Sequence, residues 1–291
     1  MKKRRRSKTA EAAAACRAYH LIDHVPVVFE DPYAIHLTSS FWRVILRSSF
    51  LRRLVFRRAL RVMDPIGWEI IGRARWAEDR LTRAIGVGVD QYLLLGAGLD
   101  SFALRRRDLS RNLRVFELDH PSSQEVKRRR LSELTIDLPE NLEFVPVNFE
   151  EENLADALAR SSFRSERPAF FSWLGVTPYL TSEAIFRTLG SIAAIAAPGS
   201  EMVLDYFAGK EHVQPDDLPS VESLERFVAR RGEPFMSAFG PDVFWQQVRA
   251  LGFEVVQQLS PEEQSRHYLA GHDENARTAA NAFFVHLRLP D

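Results

Sequence analysis

The chain has 291 residues, of which 45% are hydrophobic and 27% charged, and its formal net charge is zero. This composition allows one sizeable α/β domain, alone or with an added cap, and it excludes global disorder and a membrane-spanning helix, which needs roughly 20 consecutive apolar residues. The single cysteine, Cys16, excludes an internal disulfide framework and a cysteine-rich metal site, and without a secretory signal we expect a soluble cytoplasmic protein that holds no metal.

The positive charges are concentrated near the beginning of the chain. Up to residue 61 there are fourteen Lys and Arg against four Asp and Glu, so the remaining residues carry the compensating negative charge. Such a surplus indicates an anionic partner, or a basic segment that docks on the acidic body of its own chain. Residues 1–8, MKKRRRSK, are the most basic run, and we expect them to form a disordered tail.

Helices are predicted for most of the first 85 residues. Residues 9–21 and 66–85 each predict a helix, and residues 29–37 predict a turn that leads into a further one. Residues 40–61 place seven arginines among apolar side chains at near-helical spacing, which predicts a basic amphipathic helix interrupted near Ser48. These elements predict a helical region that precedes the α/β part of the chain.

After residue 90, strand-like and helix-like segments alternate. The predicted strands span 91–95, 114–118, 143–147, 168–173 and 201–207. The predicted helices between them span 100–109, 121–134, 151–160 and 181–196. This alternation predicts a parallel sheet with right-handed crossovers. The remaining segments are helices near 219–231 and 241–250 and a final pair of strands, 253–259 and 281–288, which predicts one antiparallel strand in the sheet.

The stretch YLLLGAGLDS, residues 92–101, ends a buried strand on two glycines. Gly96 and Gly98 let the backbone approach a ligand closely, and ligands bind parallel sheets at the carboxyl ends of their strands. The dinucleotide fingerprint G-x-G-x-x-G is incomplete because its sixth position is Ser101. Asp100 would repel a pyrophosphate and favour a cationic ligand. A dinucleotide site, a different nucleotide site and a tight turn without a ligand all remain open.

The ends of the next two strands carry side chains suited to a nucleotide. In RVFELDHP, Glu117 and Asp119 lie two residues apart and share one face of the strand. Asp119 falls where a carboxylate would accept hydrogen bonds from ribose hydroxyls. The third strand ends in FVPVNFE, where Asn148 could bond to an adenine edge and Phe149 could stack on the ring. The ends of three successive strands all carry residues suited to a nucleotide, and together they predict a binding site for a nucleotide cofactor.

The order of these motifs resembles the S-adenosylmethionine-dependent methyltransferases of the leucine carboxyl methyltransferase type. The motifs are GRARWAEDRL, LLLGAGLDS, FELDHP, VPVNFE and SWLGVTPYLT, and the resemblance covers roughly residues 10–290. It implies an α/β fold of class I methyltransferases, a Rossmann-like sheet of seven strands with the last antiparallel. It also implies that residues 9–85 form a helical lid over a methyltransferase domain at residues 86–291.

The resemblance also implies a set of residues that bind S-adenosylmethionine. They are Arg73, Gly96, Ala97, Gly98, Asp119, Asn148 and Phe149. In this set Asp119 binds the cofactor ribose. Asn148 and Phe149 replace an Asp-Leu pair of the family, so the adenine contact keeps its hydrogen bond and loses its charge.

Two further positions of the motifs bear on the cofactor and the substrate. Arg73, in GRAR, falls on the arginine that meets the methionine carboxylate, and Arg75 is the neighbouring alternative. Leu174 stands where the eukaryotic enzymes carry a glutamate, which puts one cofactor contact in question. The phosphatase substrate of those enzymes is therefore not implied for this chain.

We expect an O-methyltransferase that acts on a carboxylate or a hydroxyl of a small-molecule acceptor. A carboxylate is already ionised at neutral pH, whereas a hydroxyl benefits from a general base. His20, His24, Tyr179 and Asp205 could face the acceptor, or could be ordinary packing and capping residues, so we assign no catalytic base.

Two alternative functions remain open at this point. One is an NAD(P)-dependent oxidoreductase, which Asp100 and Ser101 disfavour. The other is a peripheral membrane or nucleic-acid-binding protein on a degenerate methyltransferase fold, which would bind its anionic partner through residues 40–61 and the tail at 1–8. We expect no nucleic-acid partner and no integral membrane association, while weak binding to an anionic surface remains open.

Overall fold

The structure, a computed structural model, describes residues 8–230, 232–272 and 276–291. The tail predicted at residues 1–8 lies outside the described residues apart from Lys8, at which the first helix begins. Across the described part of the chain, no helix is both long enough and apolar enough to cross a membrane.

A mixed sheet of seven strands forms the centre of the protein. The strands are β1 (Gln91–Leu95), β2 (Arg114–Asp119), β3 (Leu142–Pro146), β4 (Phe170–Trp173), β5 (Glu201–Phe207), β6 (Glu254–Leu259) and β7 (Ala282–Arg288). Their order across the sheet is β3-β2-β1-β4-β5-β7-β6, and β7 runs antiparallel to both of its neighbours. The first five strands pair in parallel. The predicted parallel sheet with one antiparallel strand is therefore confirmed.

Helices precede, separate and follow the strands. Before the sheet lie α1 (Lys8–Asp23), α2 (Ala34–Leu37), α3 (Ser40–Arg47), α4 (Ser49–Leu54) and α5 (Asp64–Gly86). Within and after the sheet lie α6 (Phe102–Arg105), α7 (Pro121–Glu133), α8 (Leu154–Ala159), α9 (Ser182–Ile195), α10 (Leu218–Ala229), α11 (Pro241–Ala250) and α12 (Pro261–Tyr268).

Two helices differ from the elements that the sequence predicts. The helix predicted over 100–109 is wrong, because the backbone leaves helical geometry at Arg106 and only a 3-10 turn follows. Helix α12 lies where no helix is predicted. Its start nevertheless carries a sequence signal, since Ser260 and Glu263 form a capping box.

The basic segment 40–61 folds as two helices and a π turn. α3 and α4 meet at Ser48, whose backbone is extended and whose hydroxyl accepts a hydrogen bond from the N–H of Leu51 over 3.3 Å. The predicted interruption near Ser48 is confirmed. The π turn, Val55–Ala59, has no counterpart in the prediction.

Two apolar layers enclose the sheet, because successive side chains of a strand point to opposite faces. On one face, Leu93 of β1 belongs to the same cluster as Trp173 of β4. On the other face, Leu94 packs in a cluster with Trp76 of α5. All residues of β1 are buried, which is typical of a central strand in a parallel sheet and explains its continuous apolar run.

Helix α1 packs against the N-terminal layer through small side chains. Ala14, Ala15 and Ala18 are buried, and their small size lets α1 lie close to its neighbours α2 and α5. Ala15 and Ala18 share an apolar cluster with Ile45 and Phe56 of the basic segment. The helices before the sheet therefore form a layer with an apolar interior of its own.

Imidazole rings join the end of α1 to α5 and to the loop after α12. The rings of His20, in the last turn of α1, and His24, just after the helix, have centroids 5.2 Å apart. Both contact Trp68 of α5, at 5.6 and 4.7 Å. The ring of His272 lies 4.8 Å from the same tryptophan. Three histidines therefore surround one indole.

These imidazoles are held in the neutral form. The N–H groups of Val28 and Phe29 donate to Nε2 of His20 over 2.9 and 3.4 Å, so this nitrogen has no proton. Burial, together with the neighbouring His24 and His272, lowers the pKa of His20 to about 4. Burial also lowers the pKa of His24 and of His272.

Lowering the pH from 7 to 5 is expected to destabilise the protein through His20. The unfolded chain binds a proton with the ordinary pKa of 6.5, whereas folded His20 binds it only near pH 4. The stabilising contribution of neutral His20 is therefore present above pH 6.5 and is lost as the pH falls toward 4. At pH 5 the loss is about 1–2 kcal/mol of unfolding free energy. Urea unfolding at several pH values measures it.

The variant His20→Gln keeps a side-chain acceptor but does not titrate, so its unfolding free energy should fall less between pH 7 and 5. His36→Gln changes an exposed histidine and should keep the pH slope of the parent protein. Equal slopes for His20→Gln and the parent would contradict the role given to His20.

Candidate functional site

The turn after β1 is fixed by hydrogen bonds to the end of β2. The N–H groups of Gly96 and Ala97 both donate to the carbonyl of Leu118, over 2.7 and 3.1 Å. The N–H of Gly98 donates to the carboxylate of Asp119 over 2.5 Å. The structure thus brings the predicted glycine turn and the predicted acid together at the carboxyl edge of the sheet.

Glycine is required at both ends of this turn. The backbone φ is +70° at Gly96 and +50° at Gly98, in the left-handed region that other residues disfavour. A Cβ at Gly96 would stand 2.4 Å from Cγ2 of Val176, and one at Gly98 would stand 3.1 Å from Cβ of Ala10. Ala10 belongs to α1, so the first turn of that helix lies directly on the glycine turn.

The Asp119 carboxylate is held in place by its neighbours. Besides the N–H of Gly98, it accepts hydrogen bonds from the N–H of His120 over 2.6 Å and from the side chain of Ser123. Burial raises the pKa of Asp119, and these hydrogen bonds oppose the rise because they stabilise the charged form. A carboxylate offers about four acceptor positions, so the hydroxyls of a bound molecule can share this one.

Asp100 and Ser101 have structural partners of their own. The carboxylate of Asp100 accepts a hydrogen bond from the N–H of Phe102 over 2.7 Å, which closes a short turn just before α6. The hydroxyl of Ser101 donates to Asp31 over 2.6 Å. Ser101 stands at the sixth position of the G-x-G-x-x-G fingerprint, where a glycine is usual. Its hydroxyl joins the turn to the residues that follow α1.

A buried ion pair completes the connection between the N-terminal helices and the turn. Nε of Arg17, on α1, donates to Asp31 over 2.8 Å, and Nη2 of the same arginine donates to the carbonyl of Leu99 over 2.7 Å. Burial by itself would raise the pKa of Asp31, but Arg17 and Arg105, with the hydrogen bond from Ser101, bring it below its ordinary value. Asp31 is therefore charged, and it is connected to the glycine turn both directly through Ser101 and indirectly through Arg17.

Asn148 and Phe149 lie just beyond β3. Oδ1 of Asn148 accepts a hydrogen bond from the N–H of Glu150 over 3.2 Å, so the amide starts a turn. The half-buried ring of Phe149 lies 6.4 Å from the ring of Trp173, at the end of β4. Phe149 is thus placed beside the carboxyl edge of the sheet, while the Asn148 side chain is partly engaged by its own backbone.

A group of charged residues lies at the ends of β4 and β5. Nη1 of Arg73, on α5, donates to Glu69 over 2.6 Å and to Asp205 over 3.1 Å. The two acids are 1% and 0% exposed. Asp205 also accepts a hydrogen bond from the N–H of Gly175 over 2.6 Å. We call Glu69, Arg73 and Asp205 the Arg73 cluster.

The Arg73 cluster combines one positive group with two carboxylates. The pKa of Glu69 is raised to about 7 by burial and by the second carboxylate, Asp205, against the attraction of Arg73. When both acids are ionised, the cluster carries a surplus negative charge. A cationic group at this place would be stabilised, whereas a pyrophosphate would be repelled.

Arg73 rather than Arg75 faces the ends of the strands. A Cβ at Gly175, where φ is +69°, would stand 2.2 Å from Nη2 of Arg73, so glycine makes room for the guanidinium. Arg75 pairs with Asp79 over 2.9 Å, and the arginine side chain is 51% exposed. Exposed pairs of this kind contribute little to stability.

The start of α1 closes one side of the Arg73 cluster. The hydroxyl of Thr9 donates to Glu233, and Thr9 also bonds to the side chain of Tyr179, which follows β4. Burial raises the pKa of Tyr179 to about 12, with Thr9 and Arg73 opposing the rise, so this phenol keeps its proton at neutral pH. The start of α1 therefore contacts both the glycine turn and Tyr179, whose phenol is close enough to Arg73 to be influenced by its charge.

The candidate histidines have packing partners. His20 and His24 stack with each other and meet Trp68 edge-on, which matches the packing role rather than a place at the acceptor. Within residues 8–230, 232–272 and 276–291, no group of three His, Cys, Asp or Glu side chains is placed to hold a metal ion.

The sequence analysis did not predict the residues that bond to Arg73. Glu69 lies four residues before Arg73 on one helix, and this spacing is the signal that could have found it. Asp205, considered above as an acceptor-facing or capping residue, instead bonds to Arg73. No local signal marks Gly175, because its need for space comes from a side chain on another element.

Comparison with known proteins supports the resemblance to methyltransferases that the sequence motifs indicate. Residues 10–193 match the leucine carboxyl methyltransferase family. The "Putative S-adenosyl-L-methionine-dependent methyltransferase YktD" of Bacillus subtilis is 28% identical over 301 aligned positions, which cover 98% of this chain and 99% of that protein. A protein described in the same words from Mycolicibacterium paratuberculosis is 30% identical, over 68% of this chain and 65% of its own length.

A solved structure shares the whole fold. A "putative methyltransferase" from Thermobifida fusca superposes with a TM-score of 0.58, at 18% identity, with 95% of this chain and 94% of that chain covered. The match to the family spans more than half of the chain. The protein therefore belongs to the leucine carboxyl methyltransferase family, whose members are methyltransferases that depend on S-adenosylmethionine. The fold class, the enzyme class and the cofactor expected from the motifs are confirmed.

Replacing Arg73 is expected to destabilise the protein strongly. Arg73→Met should lower the free energy of unfolding by about 3–5 kcal/mol, because two buried carboxylates lose the cation that they share. Arg75→Met is the matched control and should change stability by about 0.5 kcal/mol or less, since its pair is half-exposed. Urea unfolding of both variants at pH 7 measures the difference.

A second variant tests whether the cost comes from the unpaired charge. Glu69→Gln added to Arg73→Met removes one of the carboxylates and should recover part of the lost stability. Similar small effects for Arg73→Met and Arg75→Met, or no recovery in the double variant, would contradict the electrostatic role of the cluster.

Proposed function

We propose that the protein is an O-methyltransferase that transfers the methyl group of S-adenosylmethionine to a carboxylate or a hydroxyl of a small-molecule acceptor. The observation that carries the proposal is the meeting of the glycine turn, Asp119 and the Arg73 cluster at the carboxyl ends of β1, β2, β4 and β5. This edge is where ligands bind in open parallel sheets.

We assign the cofactor to seven residues along this edge. They are Arg73, Gly96, Ala97, Gly98, Asp119, Asn148 and Phe149. The glycine turn would let the backbone approach the cofactor, and Asp119 would accept hydrogen bonds from the ribose hydroxyls. Asn148 and Phe149 would contact the adenine, and Arg73 would meet the methionine carboxylate.

The charges around Arg73 support a cationic cofactor. S-adenosylmethionine carries a sulfonium, an ammonium and one carboxylate, and is therefore positive by one charge. The pKa of Glu69 is about 7, so the Arg73 cluster is negative by one charge when Glu69 is ionised, and a bound cation would favour that ionised form. Attraction between opposite charges is strong in a buried site, whereas the two phosphates of NAD(P) would be repelled. This disfavours the oxidoreductase alternative.

The chain contributes orientation and a dry site to the reaction. When bound, the cofactor would supply an electrophilic methyl carbon on sulfur, to which an acceptor oxygen could bond in line while S-adenosylhomocysteine leaves. Asp119 is held by the N–H groups of Gly98 and His120, and Arg73 is held by its two acids, so little rearrangement is needed on binding. Fixed geometry of this kind lowers the barrier by positioning the reactants.

The N-terminal helices are proposed as the lid of this site. Ala10 of α1 lies on Gly98, and Thr9 bonds to Tyr179, so the start of α1 contacts both halves of the candidate site. We assign residues 9–85 to a lid region and residues 86–291 to the methyltransferase domain. Such a lid has to open for the acceptor and close to exclude water.

A carboxylate acceptor is favoured over a hydroxyl. The matching family is named for the methylation of a leucine carboxyl group, and an ionised carboxylate needs no general base. Of the polar groups described near the cluster, Tyr179 keeps its proton and Asp205 is bonded to both Arg73 and Gly175. Neither is placed to take a proton from a hydroxyl.

The variant Asp119→Ala should bind S-adenosylhomocysteine, the demethylated product, at least tenfold more weakly than the parent. A charge-assisted hydrogen bond from a ribose hydroxyl contributes roughly 1.5–3 kcal/mol. Isothermal titration calorimetry measures the affinity, and circular dichroism checks the fold. Asp137→Ala removes an exposed carboxylate and should bind like the parent. No heat from the parent at millimolar ligand would overturn the cofactor assignment, and an unchanged affinity of Asp119→Ala would remove Asp119 from it.

The product bond distinguishes the two kinds of acceptor. With cofactor labelled in its methyl group and a panel of small carboxylic acids and alcohols, we expect label that mild alkali releases as volatile methanol, because methyl esters hydrolyse and methyl ethers do not. Label that survives alkali and stays on oxygen would leave the hydroxyl form of the proposal. Transfer to nitrogen or carbon alone would refute O-methylation.

A further inference from the structure

The basic segment 40–61 has an outer side that the proposed cofactor site does not use. Four large apolar side chains are exposed there: Phe41 by 68%, Val44 by 62%, Phe50 by 72% and Leu54 by 44%. Two exposed arginines, Arg47 and Arg53, stand among them. We call these six residues the outer basic surface.

The exposed residues follow the helical repeat. On α3, Phe41, Val44 and Arg47 recur every third residue, and on α4 Phe50 is followed by Arg53 and Leu54. Residues three or four apart lie on one side of a helix. Each helix therefore presents one continuous side that mixes apolar groups with guanidinium groups.

This side cannot turn inward, because the opposite side is already packed. Ile45 and Leu46 of α3 and Phe56 of the π turn are buried in a cluster with Ala15 and Ala18 of α1. Leu51 of α4 packs, partly buried, against the same cluster, so the exposed residues of both helices lie on the outer side of the cluster. Rotation of α3 would expose Ile45 and Leu46, and rotation of α4 would remove Leu51 from the cluster.

The outer basic surface is positive without a counter-charge from the described protein. Between Asp31 and Asp64 the sequence has no acidic residue. Arg52 forms an ion pair with Asp23 over 3.0 Å, on the inner side of the segment. Arg47, Arg53 and Arg58 form no ion pair with any residue that the structure describes. Their charge is therefore available to an external anion.

We propose that the outer basic surface docks on an anionic lipid bilayer. Phe41, Phe50 and the aliphatic side chains would enter the boundary between head groups and acyl chains, and the arginines would meet lipid phosphates. Arginine suits this place because its apolar stem lies along hydrocarbon while its charged end reaches the head groups.

A bilayer fits this surface better than a nucleic acid does. Arginine and phenylalanine could serve either partner, through phosphates and base stacking. Val44 and Leu54 offer neither a ring nor a hydrogen bond, and they gain free energy only in an apolar phase. The proposal adds a binding surface to the proposed function and does not rest on it, since none of the six residues belongs to the cofactor site.

Flotation of the full-length protein with lipid vesicles tests the proposal. We expect flotation with vesicles of phosphatidylcholine and phosphatidylserine, and none with phosphatidylcholine alone. Binding should weaken as salt rises from 0.1 to 1 M, because the screening length shortens from about 10 to about 3 Å. Binding of S-adenosylhomocysteine, measured on the same samples, reports on the other site independently.

Two sets of substitutions separate the apolar and the charged contributions. Arg47→Gln combined with Arg53→Gln should lower vesicle partitioning about 25-fold, at about fivefold per arginine. Phe41→Ser with Phe50→Ser should lower it at least tenfold while leaving some salt-sensitive binding. Circular dichroism and unchanged cofactor affinity show that each variant is folded.

Matched controls change similar residues elsewhere. Val243→Ser with Val256→Ser removes apolar groups that are 55% and 52% exposed, and Arg111→Gln with Arg266→Gln removes exposed charges. Both pairs should float like the parent. Glutamine at positions 2–6, in a third variant, removes the basic residues before α1 and should retain binding.

Three outcomes would overturn the proposal. They are no flotation of the parent with anionic vesicles, flotation that persists in both surface variants, and flotation that disappears only with the substitutions at positions 2–6. Binding of a single-stranded oligonucleotide through the same six residues, without vesicle binding, would replace the bilayer by a nucleic acid.

Discussion

The ion pair between Arg17 and Asp31 is the interaction on which the arrangement of the site depends. Asp31 accepts hydrogen bonds from Arg17, from the hydroxyl of Ser101 and from the N–H of Ala34, which lies at the start of α2. Arg17 also holds the carbonyl of Leu99. Removing one member of a buried pair leaves an uncompensated charge, which costs several kcal/mol. The N-terminal helices and the glycine turn are therefore coupled, and the shape of the turn depends on residues about 70 positions earlier in the chain.

Helix α5 carries this coupling across the molecule. It is a continuous helix of 23 residues, and its successive turns contact different parts of the protein. Trp68 lies among the histidines of the N-terminal layer, Arg73 lies at the ends of β4 and β5, and Trp76 is fully buried in the core behind the sheet. A rigid helix that touches all three keeps the N-terminal layer, the candidate site and the core in register. The candidate site is therefore held in place by packing that lies outside it.

The alternation of apolar and polar residues was sufficient to predict the sheet, because period-two and period-3.6 patterns report on which faces are buried. It was insufficient for α6, where Phe102, Ala103 and Leu104 are apolar but the backbone turns away at Arg106. It was also insufficient for the π turn at Val55–Ala59, whose apolar Phe56 is buried by contact with another helix rather than by a regular repeat. Local patterns describe burial, and burial can be satisfied by more than one backbone.

The sequence by itself determined the class of fold, the glycine turn, the acid at the end of β2 and the family, because each is written in residues close together in the chain. Only the tertiary structure decided that Arg73 rather than Arg75 faces the strand ends, that Glu69 and Asp205 share it, and that Gly175 makes room for it. It also decided which arginines of the basic segment are paired inside and which are left on the outer side. The physical reason is the same in each case. Charge compensation and close packing depend on distances between residues far apart in sequence, and no local pattern encodes those distances.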